Sequence, residues 1–447
     1  MKFKAIEPPL WLSRSAVYQI NPRTFCAGGT ISDVTEELPF LKELGFRIMY
    51  LCPVFEEDDS DDKSFWSNRQ LKSETDNPKN PYRMNDYFKI DPEYGTEDDL
   101  RQFVDTAHKL GMRVLLDLVY AHIGPNAPIL KKHPEFAKQD KDGNIIYSTW
   151  HFPFLDYTCE GLREYMWSNM LYYIGEFDVD GFRCDVGDYI PVDFWNEARR
   201  RMRSVKPESV LINEGHKWDY LLTAFDSSYC FAWHDNMHKL FGGEITAAAF
   251  RENIKECWAA LPDGARLLID MENHDTATDW DERIELFAGN DGMEMIQVMN
   301  YLMRGIPMVY CGNELADDKR ISMFANRFHM GKFEVTDRSD SAKAASLRRQ
   351  NVFKKLNQLK YESDILCYGD VLWRDDLPEN ILSFERNYKS EQILFVGNVG
   401  SEPVNVKALD GKIILSNKAE LCNASELILE PHGYIAIIEN GDVNGSV

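Results

Sequence analysis

The sequence predicts an α/β protein built on a (β/α)8 TIM barrel, with a short inserted domain and a C-terminal all-β domain. Two observations predict the barrel. Short apolar runs rich in β-formers alternate with amphipathic helical stripes across residues 16–314, and eight such runs can be counted. The chain has 447 residues, which exceeds the roughly 250 residues typical of a barrel before insertions. A doubly wound open sheet is the structural alternative.

A repeated helix-to-strand unit supports the barrel. The segments "KELGFRIMYLCPV" (42–54) and "HKLGMRVLLDLVY" (108–120) both run from a helix end through Leu-Gly into an apolar strand. Gly45 and Gly111 are placed to take the left-handed conformation that closes a helix. Before the second unit, Thr96 can cap a helix with Asp99 three residues on. One apolar stripe at helical spacing follows, formed by Leu100, Phe103, Ala107 and Leu110.

The other predicted strands complete a barrel over residues 1–360. They lie at 16–20, 181–186, 209–214, 265–275 and 305–314, with a less certain strand near 229–235.

Three segments depart from this alternation. Residues 55–84 contain the acidic run "EEDDSDDKSFW", which lacks the glycine of an EF-hand loop and indicates a solvated loop. Residues 123–156 carry a turn signal, "KDGN", and an aromatic cluster, which predicts a small inserted domain. From residue 361, short alternating runs separated by Gly, Asn and Pro predict a C-terminal β-sandwich domain over 361–447.

Composition limits the class of ligand. The formal net charge of −23 repels phosphate backbones and anionic membrane surfaces, so we expect a neutral or cationic small ligand and neither nucleic acid nor membrane as partner. No apolar run is long enough to span a bilayer, and the N-terminus lacks the apolar core of a signal peptide. Nine scattered cysteines without a C-x-x-C pair favour reduced thiols in a cytoplasmic protein over a disulfide framework.

Ionisable residues end four of the predicted strands. They are Asp117 and His122, then Arg183 and Asp185, then Glu214, and finally His274 with Asp275. Barrel enzymes place their reactive groups at these ends. Arg183 and Asp185 share one face of their strand, and burying both charges is costly unless they are paired. Several converging carboxyl groups suit glycoside hydrolysis, in which one attacks as a carboxylate and another donates a proton.

These strand ends resemble the hallmark segments of glycoside hydrolase family 13, the α-amylase family. The segments are "LLDLVYAHIG" (115–124), "GFRCDV" (181–186), "INEG" (212–215) and "MENHDT" (271–276). The flanking segments "VYQINPRTF" (17–25), "YFKIDPEYGTEDDL" (87–100) and "GIPMVYCGNE" (305–314) resemble the family as well.

The resemblance implies a role for each matching catalytic residue. Asp185 would be the nucleophile that forms a covalent glycosyl intermediate, and Glu214 the general acid and base. Asp275 would be the third acid, which orients sugar hydroxyls. Arg183 would hold Asp185 ionised, and Asp117 would brace Arg183.

The resemblance also implies sugar ligands and an altered metal site. His122 and His274 would bind hydroxyls of the cleaved glucose, and Tyr82 would stack on its ring. The family usually has Asn, a ligand of structural calcium, where this chain has Ala121. We therefore predict no calcium at that position. The sequence gives no metal-ligand residues and no cofactor to assign, and it leaves open a calcium ion at a non-standard site.

The resulting expectation is a retaining hydrolase of α-glucosidic bonds, α-1,4 before others, in maltodextrins or short α-glucans. Retention would place the carboxyls of Asp185 and Glu214 roughly 5 to 5.5 Å apart. An α-glucosidase, an oligo-1,6-glucosidase or an α-glucosyl transglycosylase would share the intermediate. A non-catalytic barrel scaffold is the alternative of another class, and the presence of all three acids argues against it.

Overall fold

The computed structural model describes residues 3–73, 75–279, 287–318, 322–325, 339–423 and 425–440. Eight parallel strands close a barrel in which each strand pairs with its neighbours along the chain, and β8 pairs with β1. The strands are β1 (Val17–Ile20), β2 (Ile48–Leu51), β3 (Arg113–Leu118), β4 (Gly181–Cys184), β5 (Val210–Asn213), β6 (Ser227–Tyr229), β7 (Leu267–Ile269) and β8 (Ile306–Tyr310). The predicted barrel is confirmed, and the open sheet is wrong.

The sixth strand differs from its predicted position. It ends at Tyr229, and a helix over Phe231–Phe241 occupies the rest of the predicted stretch. Trp233, Met237 and Leu240 are buried at helical spacing. This stripe stabilises a helix because its apolar side chains can pack together on one face.

The helices surround the strands. The α-helices span Leu10–Ser13, Pro22–Phe25, Ile31–Glu43, Asn68–Lys72, Glu97–Lys109, Pro128–Lys132, Glu160–Phe177, Val192–Val205, Phe231–Phe241, Ala247–Ala260, Thr276–Asp279, Gly289–Leu302, Asp340–Glu362 and Asp364–Tyr368. Thr96 and Asp99 form the predicted capping box at the start of Glu97–Lys109. Short 3₁₀ helices span Lys63–Phe65, Pro134–Phe136, Gly187–Tyr189, Trp218–Leu222 and Asn313–Leu315.

The side chains inside the barrel change character along the strands. On β3, Val114, Leu116 and Leu118 belong to the core shared with the helices, whereas Leu115 belongs to a separate cluster with residues from the other strands. Because side chains alternate along a strand, Asp117 faces the same way as Leu115. The interior is therefore apolar near the strand starts and becomes polar towards the strand ends.

The acidic excursion at 55–84 is a structured part of the molecule rather than a solvated loop. Its strand Phe55–Glu57 pairs with Met84–Ile90 in an antiparallel ribbon. Glu57 and Asp58 are buried, and Glu57 Oε1 lies 2.8 Å from Nη2 of the equally buried Arg23. Asp59, Asp61 and Asp62 are exposed, as predicted for the whole run.

The other two segments differ in secondary structure, and a short helix over Asp364–Tyr368 precedes the strands of the C-terminal part. Within 123–156, isolated bridges such as Gln139–Ile145 and Tyr147–Pro153 accompany short helices. The C-terminal part forms a six-stranded antiparallel sheet, with strands at Asp370–Arg374, Ile381–Tyr388, Glu391–Asn398, Val404–Lys407, Lys412–Asn423 and Glu426–Asn440. The domain limits at 123–156 and 361–447 stay predictions. Among the described helices, none combines the length and apolar character that crossing a membrane requires.

Candidate active site

The guanidinium of Arg183 lies at the centre of the polar layer at the strand ends. Its Nη1 is 2.7 Å from Oδ1 of Asp117 and 3.0 Å from Oδ1 of Asp185, and its Nη2 is 2.8 Å from Oε2 of Glu214. Asp117 lies directly opposite Arg183 in the β3–β4 register. Although burial opposes it, the charges of Asp117 and Glu214 hold the pKa of Arg183 well above its usual value. A permanent cation thus compensates two buried carboxyl groups, Asp117 and Asp185, and the partly exposed carboxyl group of Glu214.

Asp185 and Glu214 follow adjacent strands. The Asp185 amide donates to Leu118 O at 2.9 Å, and the Glu214 amide donates to Cys184 O at 3.1 Å, so both backbones continue the parallel ladder. Burial raises the pKa of Asp185 well above its usual value and also raises that of Glu214. Together the pair retains a proton to higher pH than ordinary carboxyls would.

Val186 has an unusual backbone conformation that serves Glu214. Its φ is 38°, in the left-handed region that β-branched residues rarely adopt. In this conformation its amide donates to Oε2 of Glu214 at 2.8 Å. The turn after the fourth strand therefore supplies a fixed donor to the carboxyl group of the fifth.

The side chain of Asp188 connects the loop after β4 with the loop after β5. Its Oδ1 accepts from Asn213 Nδ2 at 2.9 Å, and its Oδ2 accepts from the amides of His216 at 2.7 Å and Lys217 at 3.1 Å. A Cβ on Gly215 would lie 2.3 Å from Oδ1 of Asp188, so this close approach requires glycine there. The segment that carries Glu214 is thereby tied to the segment that carries Asp185.

Asp275 and His274 follow β7. The His274 amide donates to Gln19 Oε1 at 3.1 Å, and Gln19 Nε2 lies 2.9 Å from His274 Nδ1. An amide nitrogen can only donate, so Nδ1 is the acceptor and Nε2 carries the proton. Burial lowers the pKa of His274 to about 4, so the ring is neutral at neutral pH. The Asp275 amide donates to Asn273 Oδ1 at 2.9 Å.

Tyr82 connects the histidine to the acid beneath Arg183. Its hydroxyl is 2.7 Å from His274 Nε2 and 2.9 Å from Asp117 Oδ2. Given the tautomer above, His274 donates to the tyrosine oxygen and the hydroxyl donates to Asp117. Tyr50 donates to the same carboxylate oxygen at 2.5 Å. The two oxygens of Asp117 are thus occupied by Arg183 and by two tyrosines.

His122 contacts the backbone of Tyr82. Its Nε2 is 2.9 Å from the Tyr82 carbonyl oxygen, to which it must donate, and burial lowers its pKa to about 4. Its ring packs against Trp150 and Phe152, with centroid distances of 5.3 and 5.1 Å. Two residues of the inserted segment therefore contact His122, a residue predicted to bind sugar hydroxyls.

One cavity brings these groups together. It has a volume of about 490 Å³. Six of the eight residues singled out from the sequence line it, namely Tyr82, His122, Asp185, Glu214, His274 and Asp275. The other two, Arg183 and Asp117, are buried and contact the lining residues. Trp150 and Phe152 contribute apolar surface.

Three residues of the site were missed by sequence reasoning. Gln19 is a polar residue within an apolar strand, the same signal that singled out Arg183, and could have been found. Asp188 interrupts no strand, and Arg69, which lines the cavity and contacts Asp275 at 2.6 Å, lies in the divergent excursion. Neither of these two carried a signal in the sequence.

Binding of a metal ion requires several ligand side chains that converge on one point. In the parts of the chain that the structure describes, no group of three or more His, Cys, Asp or Glu side chains is arranged to hold a metal ion. Ala121 is buried and has no side-chain donor. The prediction that this position holds no calcium stays a prediction.

Comparison with known proteins identifies the type of domain. The model of the α-amylase catalytic domain matches residues 13–153 and 145–352, most of the chain. A cyclomaltodextrinase of Thermoanaerobacter pseudethanolicus is 24% identical over 95% of this chain and 77% of its own length. A maltogenic α-amylase of Bacillus acidopullulyticus is 26% identical over 69% of this chain and 57% of its own length. An intracellular maltogenic amylase of Bacillus subtilis is 23% identical over 96% of this chain and 76% of its own length.

Solved structures share the fold. A crystal structure of an α-amylase from Lactobacillus plantarum superposes with a TM-score of 0.79 at 23% identity, covering 96% of this chain and 100% of that one. A maltogenic α-amylase from Thermotoga neapolitana gives a TM-score of 0.75 at 24% identity, covering 97% and 98%.

Proposed function

Because the chain belongs to the α-amylase catalytic-domain family, we propose that it is a retaining glycoside hydrolase that cleaves α-glucosidic bonds in maltodextrins or short α-glucans. One observation carries this proposal: three carboxyl groups from the ends of three strands meet at one cavity, and a single guanidinium contacts two of them. Contact of Asp185 and Glu214 with the same guanidinium supports the short separation, about 5 to 5.5 Å, of retaining enzymes.

In the proposed first step, Asp185 attacks the anomeric carbon while Glu214 protonates the departing glycosidic oxygen. The bond between that carbon and oxygen breaks, and an ester joins the sugar to Asp185. The proton comes from the buried pair, which retains it because burial raises both pKa values. Arg183 stays charged throughout and stabilises whichever carboxylate is ionised.

In the second step, Glu214 takes a proton from water, and the resulting hydroxide attacks the same carbon. The ester bond to Asp185 breaks, which regenerates both carboxyl groups and retains the anomeric configuration. Asp275, His274 and His122 would bind hydroxyls of the sugar. Tyr82 and the aromatic pair Trp150 and Phe152 would supply apolar contact with the ring.

The substrate class rests on the relatives. Proteins named cyclomaltodextrinase and maltogenic amylase align with most of this chain, which supports an α-1,4-linked glucan as substrate. A relative named an intracellular maltogenic amylase supports a cytoplasmic location. The formal net charge of −23 suits an uncharged substrate.

The test is hydrolysis with analysis of the anomer. The purified protein is incubated with maltotriose, starch, pullulan, isomaltose and sucrose, and the first products are followed by proton NMR. We expect release of α-anomers from maltotriose and starch. Release of β-anomers would contradict retention, and no release from any of these sugars would contradict the proposal itself.

A matched pair of variants tests the nucleophile. Asp185→Asn removes the attacking carboxylate, so turnover should fall below about one percent of the wild-type rate. Asp193→Asn is the control, since Asp193 is an exposed aspartate paired with Arg163. The control should keep full activity, and both variants should unfold cooperatively. Activity of Asp185→Asn above that level would show that another group attacks.

A further inference from the structure

Arg69 reaches the third acid of the proposed site from the excursion at 55–84. Its Nη2 lies 2.6 Å from Oδ1 of Asp275, and its Nε lies 2.7 Å from Oδ1 of Asp279. Nη2 also donates to the carbonyl oxygen of Asp275 at 3.4 Å. One guanidinium therefore holds both the side chain and the backbone of Asp275.

The short helix that carries Arg69 rests on a buried framework. Gln70 is fully buried, its Nε2 donates to Asn77 O at 3.1 Å, and its Oε1 accepts from Asn80 Nδ2 at 3.3 Å. Ser67 Oγ accepts from the Gln70 amide at 3.1 Å at the start of the helix. These contacts fix the helix Asn68–Lys72 independently of the Arg69 side chain, so a variant at Arg69 should still fold.

The contacts of Asp275 are asymmetric. Among the described residues, the polar contacts of its carboxylate all involve Oδ1, with Arg69 at 2.6 Å and His274 Nε2 at 3.4 Å. Asp275 lines the cavity, and its side chain retains 32% of its exposure. Oδ2 is the oxygen that remains for a ligand.

Several charged groups face Asp275. Arg69 comes from the excursion, Asp279 and His274 lie on its own segment, and Arg183, Asp185 and Glu214 lie at the ends of β4 and β5. Burial by itself would raise the pKa of Asp275, but the charge and hydrogen bond of Arg69, together with smaller contributions from His274 and Arg183, outweigh burial and hold that pKa well below its usual value. Asp275 is thus ionised at pH values at which the pair of Asp185 and Glu214 still shares a proton.

We infer that Arg69 is a positioning residue, which fixes one oxygen of Asp275 and aims the other at the hydroxyls of a neutral α-glucosyl unit in the cavity. This inference rests on the proposed function. It adds the helix Asn68–Lys72 to the active site, although that helix lies outside the hallmark segments of the family.

The test compares Arg69→Gln and Arg69→Lys with the wild type on maltotriose between pH 4 and pH 8. Loss of the charge lets burial raise the pKa of Asp275, so a second group must then be deprotonated for activity. In a plot of log kcat/KM against pH, the slope of the acid limb should rise from one towards two for Arg69→Gln. The acid limb should also shift to higher pH by about one unit, which lowers kcat/KM about tenfold at a fixed pH on that limb.

Arg69→Lys keeps the charge but contacts one carboxylate at a time, so it should restore the slope while recovering only part of kcat/KM. Arg374→Gln is the matched control. Arg374 also bridges two carboxylates, Asp376 at 2.6 Å and Glu385 at 3.4 Å, with 33% side-chain exposure against 30% for Arg69. This control should leave the pH profile unchanged.

The outcomes separate the two claims. If the wild type cleaves maltotriose and Arg69→Gln has the slope, limb and kcat/KM of Arg374→Gln, the inference is overturned and the proposed function stands. If kcat/KM falls at all pH values with an unchanged slope, Arg69 has only a structural role, and the inference is overturned as well. A wild type that cleaves none of the sugars overturns both.

Discussion

The hydroxyl of Tyr82 lies 2.9 Å from Oδ2 of Asp117, which ties the wall of the cavity to the acid beneath Arg183. The same hydroxyl accepts from His274 Nε2 at 2.7 Å, and His274 in turn accepts from Gln19. A continuous chain of hydrogen bonds therefore runs from β1 through the segment after β7 to β3. It sets the tautomer of His274 and the orientation of Asp117 together.

Tyr82→Phe tests this chain. The substitution keeps the ring but removes the nearest partner of the His274 donor and one donor to Asp117, which costs about 1 to 3 kcal/mol for a poorly satisfied buried group. We expect a lower free energy of unfolding by that amount and a loss of kcat/KM on maltotriose of about tenfold, as a misoriented site would give. Urea denaturation and initial rates measure the two effects. Tyr147→Phe, at an exposed tyrosine, is the control, and equal behaviour of the two variants would refute the prediction.

Asp188→Ala tests the connection between the two catalytic loops. The variant frees the amides of His216 and Lys217, so the segment that carries Glu214 can shift relative to Asp185. A displacement of about 1 Å near the reacting atoms can cost 10²-fold in rate. We expect kcat to fall between about tenfold and a hundredfold, measured by initial rates at saturating maltotriose. Asp193→Ala should have no such effect, and an unchanged kcat for Asp188→Ala would show that Asp188 does not position Glu214.

His122 makes stability depend on pH. Burial lowers its pKa in the folded protein to about 4, whereas an unfolded histidine titrates near about 6.5. Between these values the unfolded chain binds more protons, so stability is complete above about pH 6.5 and is lost as the pH falls towards 4. The difference corresponds to about 3 kcal/mol.

His122→Gln should remove this dependence while keeping a donor for the Tyr82 carbonyl. Urea denaturation at intervals between pH 4 and pH 7 measures it, and the curve of the variant should be flatter than that of the wild type. His133→Gln, at an exposed histidine, is the control. Parallel curves for wild type and His122→Gln would mean that His122 is not buried in its neutral form.

Rules based on neighbouring residues predicted some features of the structure correctly and others wrongly. Local rules worked where neighbours along the chain decide the structure: the Thr96 and Asp99 capping box and the left-handed conformation of Gly45 and Gly111 followed from the sequence. They failed at the sixth strand, because a three-residue strand carries too little pattern and the adjacent helix has a strong one. They also failed at Glu57 and Asp58, which are buried because distant residues such as Arg23 compensate their charge.

By itself, the sequence determined the closed barrel, the C-terminal all-β segment and the choice of three acids with an arginine and two histidines. The barrel and the all-β segment follow from periodicity, and the site residues follow from the strand ends and from the resemblance of those segments to the α-amylase family, all of which can be read from local stretches of the chain. Only the tertiary structure decided which residues contact the predicted site residues and their loops. Gln19 bonds to His274, Asp188 accepts from the His216 amide in the loop that carries Glu214, and Arg69 pairs with Asp275. Electrostatic pairing depends on distance in space, and Arg69 and Asp275 are 206 positions apart in the chain.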